Sequence, residues 1–240
     1  MAFMRLDRYI AQSTGLTRAQ ARKVITCKRV KVAGEVQRKA SFSVADCLEV
    51  SLDDQPLKLR QHIYLMLNKP QGVVCATEDE EHTTVVDLIP EELLDQAKGL
   101  VHPAGRLDID TTGLVLLTDD GLWSHTVTSP RKGCGKRYQV TLAEPLAEGG
   151  EQRLSEGLLL KGEDKETLPA HLQIQSPTEL VIEISEGRYH QVKRMFAAVG
   201  NKVVSLHRLQ IGPIHLDPEL LEGESRLLSE DEIGHFRRTK

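Results

Sequence analysis

The chain has 240 residues, of which 40% are hydrophobic and 28% are charged. This length and composition suit one large domain or two unequal ones and exclude wholesale disorder. No apolar run approaches the roughly 20 residues of a membrane-spanning helix, and we expect no secretory signal at the start of the chain. The four cysteines, at positions 27, 47, 75 and 134, form no C-x-x-C pair. This spacing argues against a zinc site or a disulfide scaffold and predicts reduced thiols in a cytoplasmic protein.

The net charge of −4 conceals an uneven distribution of charge along the chain. Residues 1–60 hold 12 Lys and Arg against 6 Asp and Glu, whereas residues 61–240 hold 19 against 29. A basic segment in front of an acidic body indicates contact with a polyanion. On charge alone, a basic surface that only aids solubility is an equally good interpretation.

The first 52 residues predict a small module of helices and strands. Apolar residues spaced three and four apart indicate a helix around residues 6–10. Residues 17–20 have the form of a capping box, which predicts the start of a second helix. Alternation around a glycine predicts a hairpin over residues 30–36, and residues 48–52 predict the strand that closes the small sheet.

This module resembles the S4 RNA-binding domain. The resemblance rests on Arg5-Leu6-Asp7, on Thr17-Arg18-x-x-Ala21 and on Val30-x-Val32-x-Gly34. It implies that the basic second helix faces folded RNA, whose phosphates release counterions when Lys and Arg neutralise them. The side chains expected to contact these phosphates are Arg18, Arg22, Lys23, Lys28 and Arg29.

The rest of the chain predicts a larger domain. Residues 53–62, with two Asp and a Pro, are expected to form a flexible linker, and residues 63–240 the body. Overall we predict an α+β protein whose larger domain has a mixed, mostly antiparallel sheet. The predicted strands of the body cover residues 64–67, 73–76, 113–117, 138–142 and 180–184, and a helix covers residues 191–199.

The segment from Gly105 to Gly113 holds the residues most typical of chemistry. A calcium loop is rejected, because no helical pattern flanks the two aspartates and no Glu ends the loop. A turn closed by Asp and Thr side chains is one interpretation. A carboxylate nucleophile or general acid–base, held next to an arginine in a cleft, is the other.

Two further segments favour the second interpretation. Lys136 and Tyr138 begin a strand and fall on the same face of it. Residues 186–194 end a strand and begin a basic helix whose first backbone amides suit a phosphate.

Together these segments resemble the RsuA branch of the pseudouridine synthases. The matching motifs are Asn68-Lys69-Pro70-x-Gly72, Gly105-Arg106-Leu107-Asp108 with Thr112-Gly113-Leu114, and Gly187-Arg188-x-His190-Gln191-Val192-Lys193-Arg194. The resemblance implies isomerisation of a uridine in RNA to its carbon-linked form, without a cofactor or a metal. Within this branch it implies 16S ribosomal RNA, or an assembly intermediate of the small subunit, as the partner of a monomeric enzyme. The alternatives are the same reaction on 23S ribosomal RNA and a non-catalytic rRNA-binding assembly factor.

The resemblance also implies a role for each residue of the site. Asp108 is the essential carboxylate, Arg188 its ion partner, and Tyr138 the ring that stacks on the flipped uracil. Whether Asp108 attacks the ribose, attacks the base or removes a ribose proton stays open. Ile184 forms an apolar floor, and Arg106 enters the RNA or binds its phosphate. The other residues expected to contact RNA are Lys69, Lys136, His190, Gln191, Lys193 and Arg194.

Overall fold

The computed structural model describes residues 3–14, 16–45, 48–58, 62–129 and 134–237. The chain divides into two compact units. The first comprises Met1–Gln61 with Gln96–Lys98, and the second comprises His62–Asp95 with Gly99–Lys240. Within the described ranges, no helix is long and apolar enough to cross a membrane.

In the first unit, two helices pack on short strands. Its elements are β1 (Phe3–Arg5), α1 (Leu6–Thr14), α2 (Arg18–Thr26), β2 (Val30–Val32), β3 (Glu35–Val36), β4 (Ser43–Ala45), β5 (Val50–Leu52) and β6 (Gln55–Leu57). The strands β3, β2, β5 and β6 form one sheet in that order. The predicted capping box is confirmed, because the Thr17 side chain accepts from the Gln20 amide while the Gln20 side chain accepts from the Thr17 amide.

The predicted linker is wrong in its first half. Gln55–Leu57 pairs antiparallel with Val50–Leu52, so the chain continues as a hairpin. Asp53 and Asp54 occupy its turn with φ of 50° and 64°, a conformation that Asp tolerates better than most residues. The two acidic residues that suggested a linker therefore make a tight turn, and residues 59–61 lie outside the described residues.

A buried carboxylate joins α1 to α2. The Asp7 side chain is fully buried and forms ion pairs with Arg5 at 3.0 Å, Arg18 at 2.8 Å and Arg22 at 3.2 Å. Burial alone would raise the pKa of Asp7, but the hydrogen bonds from the three guanidinium groups hold it well below its ordinary value. Two of the predicted RNA contacts, Arg18 and Arg22, therefore also hold the unit together, with about half of each side chain still exposed.

We expect the Asp7→Asn change to destabilise the first unit by about 2 kcal/mol, because it leaves three guanidinium groups without their carboxylate. A lowered pKa contributes stability above the unfolded value of about 4, and this contribution is lost as the pH falls further. The wild-type unit should therefore lose stability below about pH 4, and the variant should lose less. Thermal unfolding followed through the methyl NMR signals of Ile10 and Ile25 measures this unit alone. Equal loss in both proteins would contradict the assignment.

The second unit is built on one large sheet. Its strands are β7 (Tyr64–Lys69), β8 (His102–Pro103), β9 (Thr112–Thr118), β10 (Lys136–Leu142), β11 (His171–Ile174), β12 (Glu179–Ile184), β13 (Val203–Ile211), β14 (Ile214–His215) and β15 (Ser225–Leu227). Its helices are α3 (Glu91–Leu94), α4 (Gly121–Thr128), α5 (Gly150–Glu156), α6 (Gln191–Ala198) and α7 (Glu230–Gly234). The main path of the sheet runs β11-β12-β10-β13-β9-β7-β15, with β8 beside β9 and β14 beside β13. Among the described strands, only β9 and β13 pair in parallel, so the predicted mixed, mostly antiparallel sheet is confirmed.

One face of this sheet is covered by an aromatic cluster. Trp123 of α4 is 3% exposed and meets the rings of Tyr64 and Phe236 edge-on, with centroids 5.1 and 5.6 Å away. Its indole N–H donates to the Ile233 carbonyl at 3.1 Å. Trp123 is therefore a packing residue, and so is the fully buried Phe196 of α6.

The predicted strand at residues 73–76 is wrong. This segment makes an isolated bridge between Val74 and Thr84 instead of a ladder. Cys75, the residue after Val74, contacts another segment instead. Its Sγ accepts a hydrogen bond from the Leu107 amide at 3.2 Å. The segment thus packs against the loop that carries Asp108.

Candidate active site

A cavity of about 240 Å³ opens within the second unit. Its wall combines the loop before β9, the first residues of β10, the end of β12, the start of α6 and the middle of β13. This volume is below the roughly 300–1,000 Å³ of sites for drug-sized ligands, and so it fits a single small ring system. Of the predicted site residues, those lining it are Arg106, Asp108, Lys136, Tyr138, Ile184, Arg188, His190, Gln191 and Lys193.

Asp108 lies in the wall of this cavity and is held by a lysine. Its Oδ2 accepts from the Lys193 Nζ at 3.0 Å, and its Oδ1 lies 3.4 Å from the His190 Nε2. Lys193 also binds the carboxylate of Asp110. The side chains of Asp108 and Lys193 are 29% and 23% exposed, so solvent screens this ion pair only in part.

The charge state of Lys193 follows from these contacts. Burial alone would lower its pKa, but the hydrogen bonds to Asp110 and Asp108 together raise it above the ordinary value. The same contact with Lys193 lowers the pKa of Asp110. Lys193 is therefore a cation at neutral pH, and it stabilises the ionised form of Asp110.

The loop that carries Asp108 is fixed from several sides. The Ile109 carbonyl accepts from the Gly72 amide at 2.8 Å and from the Lys69 Nζ at 3.3 Å. The Thr111 amide donates to the Asp108 carbonyl at 3.1 Å, which closes a turn. The turn interpretation and the catalytic interpretation of this segment are therefore compatible, because the turn sets the position of the carboxylate.

Gly113 ends this loop where two strands approach each other. It has a φ of +98°, and a Cβ placed on it would lie 2.4 Å from the Arg208 carbonyl oxygen. Neither the conformation nor the contact admits a side chain without displacement of β13.

We expect the Gly113→Ala change to lower the free energy of unfolding by about 3 kcal/mol or more, because strain and a backbone clash add together. Thermal unfolding of the purified protein measures the effect. Gly121→Ala is the matched control, since Gly121 has no positive φ and nothing lies within 4 Å of its would-be Cβ. An unchanged melting temperature for Gly113→Ala would show that β9 and β13 do not approach this closely.

Tyr138 and Ile184 form the less polar side of the cavity. Tyr138 is 7% exposed and Ile184 is 3% exposed, and they lie on the adjacent antiparallel strands β10 and β12. Lys136 precedes Tyr138 on the same face of β10, and burial lowers the pKa of Lys136. The cavity thus brings an aromatic ring, an apolar side chain and a paired carboxylate together.

The predicted ion pair between Asp108 and Arg188 is wrong. The Arg188 guanidinium contacts Glu186 at 3.2 Å and Glu163 at 3.5 Å. It also donates to the Lys165 and Glu166 carbonyls. These contacts engage all three nitrogens of the Arg188 guanidinium, and Lys193 holds Asp108 instead.

Lys69 and Arg194 do not line the cavity, contrary to the sequence prediction, whereas Gln191 lines it as a mostly buried side chain. Lys69 is fully buried and donates to the Pro70 and Ile109 carbonyls, which leaves it outside any groove. Arg194 donates to Glu163 at 2.9 Å and to the Lys161 carbonyl at 2.8 Å. Gln191 is 4% exposed, and its amide joins the Arg188 N–H to Glu186. All three stabilise loops around the cavity.

The sequence prediction missed Arg208, which lines the cavity from β13. Its side chain donates to the Leu114 carbonyl at 2.7 Å and to the Arg106 carbonyl at 3.4 Å, so it connects β9 to the Asp108 loop. Its Nη2 is buried without a partner among the described residues. The sequence signal that could have found Arg208 is its spacing of two residues from Leu206 along the strand, because this spacing places both side chains on the face toward the cavity.

The predicted contacts of the S4-like module are all on its surface. Lys23 and Lys28 are exposed. Arg29 is half exposed and bound to Asp53.

Comparison with known proteins identifies both parts of the chain. Residues 63–198, more than half of the chain, match the family model of the RNA pseudouridylate synthases. The chain belongs to this family. Residues 4–50 match the S4 domain, which confirms the predicted resemblance of the first module.

Two relatives of this pseudouridylate synthase are similar over nearly their whole length. The ribosomal small subunit pseudouridine synthase A of Pasteurella multocida is 50% identical, with 98% of this chain and all of that protein covered. The protein of the same name from Escherichia coli K12 is 52% identical over 96% of this chain and 99% of its own length. A solved pseudouridylate synthase structure is 48% identical and covers 98% of this chain and all of its own, with a TM-score of 0.69.

Proposed function

We propose that this pseudouridylate synthase converts one uridine of 16S ribosomal RNA to pseudouridine, with Asp108 as the essential carboxylate. The observation that carries the proposal is the ion pair between Asp108 and Lys193 inside a cavity lined by Tyr138 and Ile184. A partly exposed carboxylate next to an apolar surface suits a nucleoside that leaves its stack. The names of the relatives favour the small ribosomal subunit as the source of that RNA.

The reaction is an isomerisation within one nucleotide. The bond between N1 of the uracil and the anomeric carbon breaks, the base turns within the cavity, and its C5 bonds to that carbon. The proton on C5 leaves, and N1 gains a proton. No atom is gained or lost overall, and so the reaction needs no co-substrate.

Tyr138 and Ile184 hold the base in this proposal. Extrusion of the uridine costs a few kcal/mol, which stacking on Tyr138 and burial against Ile184 offset. Lys193, rather than Arg188, is the cation that pairs with Asp108. Within the described part of the chain the side chain of the exposed Arg106 has no hydrogen bond or ion pair, which suits insertion into the RNA or contact with a phosphate.

The S4 module supplies affinity for folded RNA. Lys23, Lys28 and the half-exposed Arg18 and Arg22 offer cations to phosphates. We assign residues 1–52 to this docking role and residues 63–240 to catalysis, in a monomeric cytoplasmic enzyme.

The target is tested by mapping pseudouridines in ribosomal RNA from cells with and without the gene. We expect one pseudouridine of 16S RNA to disappear and to return on complementation with the wild type. Loss of a 23S site instead would move the target to the large subunit. Loss of no site, with no tritium released from 5-tritiated uridine in RNA, would leave a non-catalytic assembly factor.

A further inference from the structure

Tyr189 exposes an aromatic ring beside the cavity. Its side chain is 73% exposed, although its neighbours in the chain, Arg188 and His190, both line the cavity. None of the catalytic roles proposed above uses it. Large exposed aromatic surface next to a site suits a ligand that covers it.

The Tyr189 ring stacks on His190, which in turn lies next to Asp108. The rings of Tyr189 and His190 lie with centroids 3.8 Å apart and planes 19° apart. On its other side, the His190 Nε2 lies 3.4 Å from the Asp108 carboxylate. Asp108, His190 and Tyr189 thus form consecutive layers, and the outer layer presents its free face to solvent.

The stacked pair is held in place by the backbone. His190 has a φ of 46°, a left-handed conformation that is strained for a residue other than glycine. The Arg194 guanidinium donates to the Tyr189 carbonyl at 3.2 Å while it binds Glu163. A fixed ring loses little conformational freedom when a ligand stacks on it.

The charges around the pair suit RNA. Glu163 is bound by both Arg188 and Arg194, and Glu186 is bound by Arg188. The charges of these two carboxylates are therefore compensated, while the exposed Arg106 lies at the cavity. A planar ligand with a phosphate beside it meets a complementary charge here.

We propose that Tyr189 is a stacking platform for the nucleobase next to the target uridine, and that the substrate is unpaired at this flank. The inference rests on the proposed function, because it requires a uridine at Asp108. Every base has a π face, so the platform adds affinity for unpaired RNA and does not select a particular base.

The test uses the full-length enzyme and an RNA fragment that contains the mapped uridine, tritiated at C5. Tyr189→Ala should raise KM about 5- to 100-fold, with kcat within threefold of the wild type. Tyr189→Phe should keep the wild-type KM, because the ring is retained. Leu221→Ala is the matched control, since Leu221 is 67% exposed and is not among the cavity-lining residues.

A second set of RNAs locates the base. Each nucleotide next to the uridine is replaced in turn by an abasic one. On one side of the uridine, the abasic replacement should raise the KM of the wild-type enzyme but not the KM of Tyr189→Ala. Restoring any of the four bases there should return KM to within about threefold, since stacking tolerates all bases.

Three results would overturn the platform. An unchanged KM for Tyr189→Ala, an equal abasic effect in both enzymes, or a fall in kcat alone would each exclude it. The last result would mean that Tyr189 acts by holding His190. Failure of the proposed function is distinguishable, because the wild-type enzyme would then release no tritium at all.

Discussion

Asp108→Asn is expected to reduce pseudouridine formation by about 10⁴-fold or more, the scale on which loss of a nucleophilic group reduces kcat. Asparagine keeps the shape of the side chain but cannot carry its negative charge. The Lys193 ammonium retains Asp110 as a partner, so the loop should keep its position. Tritium release from RNA measures turnover, and a gel-shift titration should show RNA affinity within a few-fold of the wild type.

Asp110→Asn is the matched control for this change. Both carboxylates bind Lys193, but Asp110 is 57% exposed and is not among the cavity-lining residues. We expect this variant to keep activity within about threefold, because an exposed ion pair contributes little. If Asp110→Asn were inactive and Asp108→Asn active, the catalytic carboxylate would be Asp110.

Lys193→Met is expected to lower kcat/KM by about 100-fold, because removal of one partner from a half-buried charged pair costs about 2–5 kcal/mol. Methionine keeps much of the length and apolar stem of lysine, so α6, which carries this residue, should keep its position. Lys193→Arg keeps the cation and should retain activity within about tenfold of the wild type. Lys202→Met, which removes an exposed lysine elsewhere in this unit, should have no effect.

The pH dependence of this ion pair has a definite sign. Because the pKa of Lys193 is raised, its charge is fully present below the unfolded value of about 10.4 and is lost only above it. Wild-type activity should therefore show no loss from Lys193 between about pH 7 and pH 10. If the Lys193→Met variant kept the same kcat/KM as the wild type, this result would contradict the role of Lys193 as the partner of Asp108.

Local signals explain the elements that could be predicted from the sequence. The capping box at Thr17 is complete within four residues, and the continuous apolar run that became β9 is typical of a buried strand. The motif around Asp108 identified the loop. Its two glycines, Gly105 and Gly113, and the turn between them depend on residues that are close in the sequence. These features depend on neighbours along the chain, which a sequence displays directly.

Apart from the hairpin at residues 50–57, the errors concern contacts between distant segments. Lys69 ends a buried strand, and its choice of the Ile109 carbonyl depends on a loop 40 residues away. Arg188 was predicted to form an ion pair with Asp108, but it pairs with Glu163 and Glu186 instead. Of these two, only Glu186 is close to Arg188 in the sequence. The burial of Arg208 likewise depends on the parallel pairing of β9 with β13.

The same pairing determines when the enzyme can first work during its synthesis. Arg208 meets Leu114 across 94 positions of sequence, and Leu206 and Ile211 complete the cavity wall. Contacts of such separation form late in folding. A chain still attached to the translating ribosome, with residue 211 inside the exit tunnel, exposes Asp108 but has no enclosed pocket around it. Such arrested chains should release no tritium, so the enzyme modifies RNA only after most of its own translation is complete.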